Sequence, residues 1–269
     1  MTKISLPKQG QSDATEHKER GLAAAFKVNL TAFKGINARR GNRCTYWHFD
    51  LNSGCGINEE FDCIGSPLAF VRAADAVGVE SYFAGFCDLN QDYLGTLGAM
   101  PQIATNPRCF RFHGDNASLV EAIPDLIRAQ GENPKYAFGM VLSDPNGAGV
   151  PFDEMAALSD ACPKLDFVIN WNSRLFKLFQ SREWGKGKHT LATATNLLNK
   201  RHWLIRKPLG SWRWTLMIGR NYRIGDHKAL GFYHWDQPEG QAIFNACNYL
   251  NAENPDMVRL GSQQLSMGF

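Results

Sequence analysis

No run of eighteen apolar residues occurs in the 269-residue chain, so nothing in it reads as a membrane-spanning helix. The stretch Met1 to Arg20 is polar and charged and lacks the apolar core of a secretory signal, so residues 1–21 read as a flexible arm of a cytoplasmic protein. There is no CxxC among the seven cysteines, and three of them lie in or at the end of apolar strand-like runs. Reduced, mostly buried thiols follow from that usage. Cys44, His48, Cys55 and Cys63 match no finger or ribbon spacing, so no metal is expected. His48, His189 and His234 read as structural. GxGxxG is also missing, which argues against a nicotinamide-dependent oxidoreductase.

What the chain does contain is a repeated strand ending. Four apolar segments each stop at an aspartate followed by loop-type residues: Asp50, Asp88, Asp115 and Asp144. The strands read as 45–50, 81–87, 108–113 and 137–143, with a fifth at 165–170, and helices fall between them. These are 67–77 (Ser66 as N-cap, Pro67 in the first turn, Gly78 as the stop), 91–97, 118–128 and 152–161. A helix at 22–36 precedes the first strand. Alternation of this kind specifies a parallel, doubly wound α/β sheet, and a hydrophobic fraction of 44% is enough for its core. Beyond residue 172 the reading is two helices (173–183 and 190–200), then strands 212–218 and 229–234 paired as an antiparallel hairpin, then a helix over 239–250. Residues 22–269 therefore read as one domain with a β-hairpin edge.

In a parallel sheet the carboxyl ends of adjacent strands form the ligand crevice. Four acids there suit a ligand rich in hydroxyl and amino donors, such as S-adenosylmethionine (SAM). In Asp50-Leu-Asn-Ser-Gly-Cys-Gly56, Asn52, Gly54 and Gly56 would let the backbone approach the cofactor. Asp88 would accept ribose hydroxyls, and Asp115 or Asn116 would take the adenine amino group. Each aspartate also has a local reading, as a turn or a helix cap. In Ser143-Asp-Pro-Asn-Gly147, Asp144 and the Pro145 carbonyl, with Asn146, would orient an amino acceptor toward an electrophilic methyl group.

The net charge of +3 conceals a segregation. Residues 174–223 carry twelve Lys or Arg and one acid, Glu183, while the rest of the chain is net −8. Trp184, Trp203, Trp212, Trp214 and Tyr222 are interleaved with these cations, a pattern suited to single-stranded nucleic acid. Lys186, Lys188, Arg201, Arg206, Lys207 and Arg213 are the candidate phosphate contacts.

Tyr46-Trp-His-Phe-Asp-Leu-Asn-Ser-Gly-Cys-Gly56, Gly65-Ser-Pro-Leu68, Tyr82-Phe83 with Asp88, Ser143-Asp-Pro-Asn-Gly147 and Val168-Ile-Asn-Trp171 together resemble the three-Cys-motif partner family. Gly231-Phe-Tyr-His-Trp-Asp236 and Glu239-Gly-Gln-Ala-Ile-Phe244 resemble its C-terminal part. The resemblance implies a class I methyltransferase-like Rossmann sheet and a SAM site at Asp50, Gly54, Gly56, Asp88 and Asp115. Base-directed amino-methyltransferases carry Asp/Asn-Pro-Pro-aromatic; here Asn146 and Gly147 stand in the last two places, so another ring such as Trp171 would have to supply the stack. The expectation is a SAM-dependent methyltransferase acting on nucleic acid. Its rivals are a methyltransferase for a protein or small molecule, and a catalytically silent methyltransferase-fold module that binds nucleic acid or a protein partner.

Overall fold

The computed structural model describes residues 15–41, 43–58, 63–145, 149–172, 195–207, 214–223 and 228–248. The first element is α1 (Thr15–Arg39), whose buried residues Leu22, Ala25, Phe26, Asn29, Leu30 and Phe33 recur at three- and four-residue intervals and so form one face. Next comes β1 (Tyr46–Asp50), buried at every position. A two-strand ribbon, β2 (Ile57–Asn58) and β3 (Cys63–Ile64), then separates β1 from α2 (Ser66–Val77). Gly78 ends α2 in the left-handed conformation, its N–H bonding the carbonyls of Ala74 and Asp75. The alternation continues through β4 (Tyr82–Asp88), α3 (Gln91–Ala99), α4 (Pro101–Ala104), β5 (Cys109–His113), α5 (Asn116–Ala129), β6 (Phe138–Ser143), α6 (Phe152–Ala161) and β7 (Leu165–Asn172). The chain then adds β8 (His202–Arg206), β9 (Trp214–Arg220), β10 (Phe232–His234) and α7 (Pro238–Asn248).

Eight of the strands form one sheet in the order β10-β8-β9-β7-β6-β1-β4-β5. The pairs β1/β4, β4/β5, β1/β6 and β6/β7 are parallel, while β9 runs antiparallel between β7 and β8. Strand alternation divides the core. Trp47, Phe49 and Val141 face α5 and α6, whereas Tyr46, Met140 and Leu142 face α1 and α2. Cover on both sides explains why the central strands read as unbroken apolar runs.

Two expectations are corrected. Residues 15–21, assigned to the arm, are the first two turns of α1. The antiparallel edge exists, but the strands near 212–218 and 229–234 do not pair with each other. β8 lies between them, pairing β9 on one side and β10 on the other. It was missed because Trp203-Leu-Ile205 is a three-residue apolar run closed by Arg206 and Lys207. The expected helix at 173–183 lies outside the described residues, as do residues 190–194 of that at 190–200; of its remainder, 195–197 are helical and 198–199 form a turn.

Candidate functional site

The chain leaves β1 toward β4 on one side and returns through β6 on the other, so the sheet reverses its winding between β1 and β6. Asp50 stands at the end of β1, fully buried. Its Oδ2 accepts a 2.6 Å hydrogen bond from Ser66 Oγ at the start of α2, and its Oδ1 accepts one from the Asn52 N–H at 3.2 Å. Burial pushes the Asp50 carboxyl up to about 7; the charges of Asp144 and Asp88 add to the rise, and its two hydrogen bonds oppose it. Asp50 therefore braces the loop from beneath.

That loop is held at each strand end it crosses. Leu51 N–H donates to the Leu142 carbonyl at 2.9 Å, and Ser53 N–H to the Cys87 carbonyl at 2.8 Å. Gly54, at φ +60°, donates its N–H to Asp88 Oδ2 at 2.9 Å, while Asn90 N–H reaches Asp88 Oδ1 at 2.8 Å. A carboxylate has about four acceptor positions, so two of those on Asp88 remain. Gly56 has a different reason to be glycine. It too has positive φ, but an added Cβ would lie 2.6 Å from Leu97 Cδ1, so its missing side chain admits α3.

Asp115 is the N-cap of α5: Oδ1 accepts the Ser118 N–H and Oδ2 the Ser118 hydroxyl, each at 2.8 Å. The Ser118 amide and hydroxyl bonds draw its carboxyl below the usual range. Asn116 Nδ2 donates to the Gly149 carbonyl at 3.2 Å. The local, capping account of this pair is what the geometry displays.

At the end of β6, Asp144 is nearly buried and doubly engaged. Asn170 Nδ2, from β7, donates to its Oδ1 at 2.7 Å, and Lys18 Nζ, from α1, lies 2.6 Å from its Oδ2. The Asp144 N–H donates to Asn52 Oδ1 at 3.2 Å, tying the β1 loop to β6. The structure thus brings Asp50, Asn52, Gly54, Asp88 and Asp144 together, with Pro145 next in the chain; Asn146 lies outside the described residues. Lys18 and Asn170 were missed. Lys18 fell in the supposed arm. Asn170 stands at the end of a strand recognised in the sequence, and that position was its signal.

Trp171 is 1% exposed and stacks on Phe152 at 5.5 Å, on the α6 side of the sheet. Strand alternation turns it away from Asn170, so it is not a stacking ring in the crevice. The basic segment is corrected in part. Arg201 and Lys207 are exposed, but Arg206 is buried beside Gly21 and Leu216. Lys200 is buried too, over the Phe167 ring, and Arg220 is fully buried against Asp166. Lys186, Lys188 and Arg213 lie outside the described residues. Among the described residues no His/Cys/Asp/Glu group is arranged to hold a metal, and no helix is long and apolar enough to cross a membrane.

An open cleft of about 460 Å³ lies at the other end of the sheet, lined among others by Trp47, Phe83, Arg108, Phe110 and Glu132. It is wide, but it sits at the amino ends of the strands. The crevice at the carboxyl ends is the better site because backbone amides and carboxylates converge there.

No protein-family model matches the chain, and no curated protein does. Solved structures do. A provisionally assigned methyltransferase from Thermobifida fusca superposes with a TM-score of 0.52 at 13% identity, covering 77% of this chain and 81% of that one. Protein LPL1258 from Legionella pneumophila superposes with a TM-score of 0.51 at 11% identity, covering 78% and 88%. The fold is methyltransferase-like. At these identities the likeness extends to the architecture alone.

Proposed function

We propose that the chain is a SAM-dependent methyltransferase, as its resemblance to the three-Cys-motif partner family implies, with nucleic acid as the acceptor class. The observation that carries the cofactor reading is the Gly54–Asp88 bond. It holds a positive-φ glycine and a carboxylate with spare acceptor positions side by side at the crevice. Asp88 would hold the ribose hydroxyls, and the loop of Asn52 to Gly54 would pass against the cofactor. When bound, SAM supplies the electrophilic methyl group. Asp144 and Asn170 would orient the acceptor. The nucleic-acid part rests on the charge segregation, of which Arg201 and Lys207 are the exposed members among the described candidates.

A second reading is favoured by one observation. Asp144, the group meant to face the acceptor, already has Asn170 and Lys18 as partners, which suits a methyltransferase-fold binding module. Titration calorimetry with SAM tests the first reading. Micromolar binding by the wild type and its loss in folded Asp88→Ala would support it, and a labelled-methyl screen over DNA, RNA and protein would follow. Absence of binding to the folded wild type, with and without nucleic acid, would favour the module.

A further inference from the structure

The Lys18–Asp144 contact is an ion pair between a helix and the floor of the crevice. Asp144 keeps 9% of its side chain exposed and Lys18 keeps 24%. A carboxylate so deeply set requires a cation or several donors. A further polar atom stands beside it without a partner among the described residues: Asn170 Oδ1, on the amide whose nitrogen already binds Asp144. Asn170 is more than nine-tenths buried. A carboxylate and an amide oxygen are both acceptors, and an ammonium with three N–H donors is the complementary group. Lys18 supplies that group from the second turn of α1, a helix that packs mainly on α2.

We propose that Asp144 and Asn170 form an ammonium subsite, that Lys18 fills it in the free protein, and that the ammonium of a ligand replaces Lys18 when the crevice is loaded. The subsite uses the pair that the methyl-transfer reading sets against the acceptor, and the identity of the ligand rests on that reading. Two sources share the chemistry: the aminoacyl ammonium of SAM and an amine on the acceptor. Either requires the first turns of α1 to lift or to re-aim Lys18.

The test removes the internal ligand and offers an external one. Lys18→Ala deletes the equivalent of n-propylammonium from the pocket. Its melting temperature is expected to fall below that of the wild type. n-Propylammonium chloride at roughly ten times its dissociation constant should then raise it by about 2–5 °C. Equal sodium chloride or tetramethylammonium chloride should not. The wild type, and the double variant Lys18→Ala with Asp144→Asn, should show no such selective rise. Lys18→Ser opens the same space should the alanine variant fail to fold. No selective rise in a folded Lys18 variant overturns the proposal. SAM titrations of the variant, with and without propylammonium, separate the sources: competition identifies the cofactor's ammonium, and independent binding identifies an acceptor amine. A propylammonium effect without any SAM binding would keep the subsite and sink the methyl-transfer reading.

Discussion

His48 and Asp50 project from the same face of β1, two residues apart and both fully buried, and burial opposes the charge of each in opposite pH directions. The His48 ring stacks on Phe70 at 3.9 Å with neither nitrogen partnered among the described residues, and burial pulls its pKa down to about 3. Its contribution to stability is present above the unfolded value near 6.5 and is lost as pH falls toward 3. Asp50, pushed up to about 7, contributes fully below about pH 4 and loses that contribution as pH rises through 7. Between about pH 4 and 6.5 the two slopes, each at most roughly 1.4 kcal/mol per pH unit, cancel. In Asp50→Asn, stability should rise with pH across this window, and in His48→Phe it should fall. Urea midpoints at three pH values measure this; parallel pH profiles for the wild type and both variants would refute the opposition.

These two residues also show what the sequence conveyed. Tyr46-Trp-His-Phe-Asp50 announced a buried strand ending in an acid, because burial on both faces leaves a continuous apolar run. It did not tell whether the acid faces a ligand or braces the loop. That depends on Ser66, sixteen residues away, and on the β2–β3 ribbon that brings it back. Lys18 illustrates the same limit, since its partner lies on β6. Asp115 was legible both as a cap and as a binding group, and a local hydrogen bond to Ser118 required nothing distant to form. β8 escaped because its apolar stretch, Trp203-Leu-Ile205, is only three residues long before Arg206 and Lys207, although the strand is buried almost throughout.

Asp166 and Arg220 form a buried ion pair at 2.9 Å, with Tyr222 donating to the same Asp166 oxygen and Asn29 of α1 accepting from Arg220. Burial raises the Asp166 pKa even against the opposing charge of Arg220. Arg220→Met should destabilise by about 3–5 kcal/mol because it leaves a carboxylate uncompensated. Adding Asp166→Asn should recover part of that loss, since the second substitution removes the stranded charge. Additive losses in a double-mutant cycle would show that the two side chains act separately.

Arg206 separates a structural cation from a binding one. Its Nε and Nη1 have no partner among the described residues, and burial lowers its pKa. Arg206→Met should leave nucleic-acid affinity unchanged and hold or raise stability, because a methionine fills the space without a desolvated charge. Arg201→Glu and Lys207→Glu, on exposed positions, should weaken any polyanion binding and flatten its salt dependence by about one unit of slope each. Filter binding across a salt series reads both effects. Loss of binding in a folded Arg206→Met, with no change in the other two, would reverse the assignment.

Gly54 and Gly56 share a positive φ, but Gly54 is half-buried and Gly56 buried, so their variants should part company. Gly56→Ala meets Leu97 at 2.6 Å and the left-handed penalty together, and should cost about 2–3 kcal/mol whether or not a ligand is present. Gly54→Asn retains the N–H that Asp88 accepts, and asparagine tolerates the left-handed region at a few tenths to about 1 kcal/mol. Its stability should stay close to wild type. If SAM lies against this backbone, the new side chain stands in its way, and the variant should lose at least about tenfold in affinity, equivalent to roughly 1.4 kcal/mol. Melting curves and calorimetry on the two variants give four numbers. Near-wild-type stability with SAM affinity lost places the cofactor against Gly54. Unchanged affinity in Gly54→Asn would move it elsewhere in the crevice and remove the loop from the binding site.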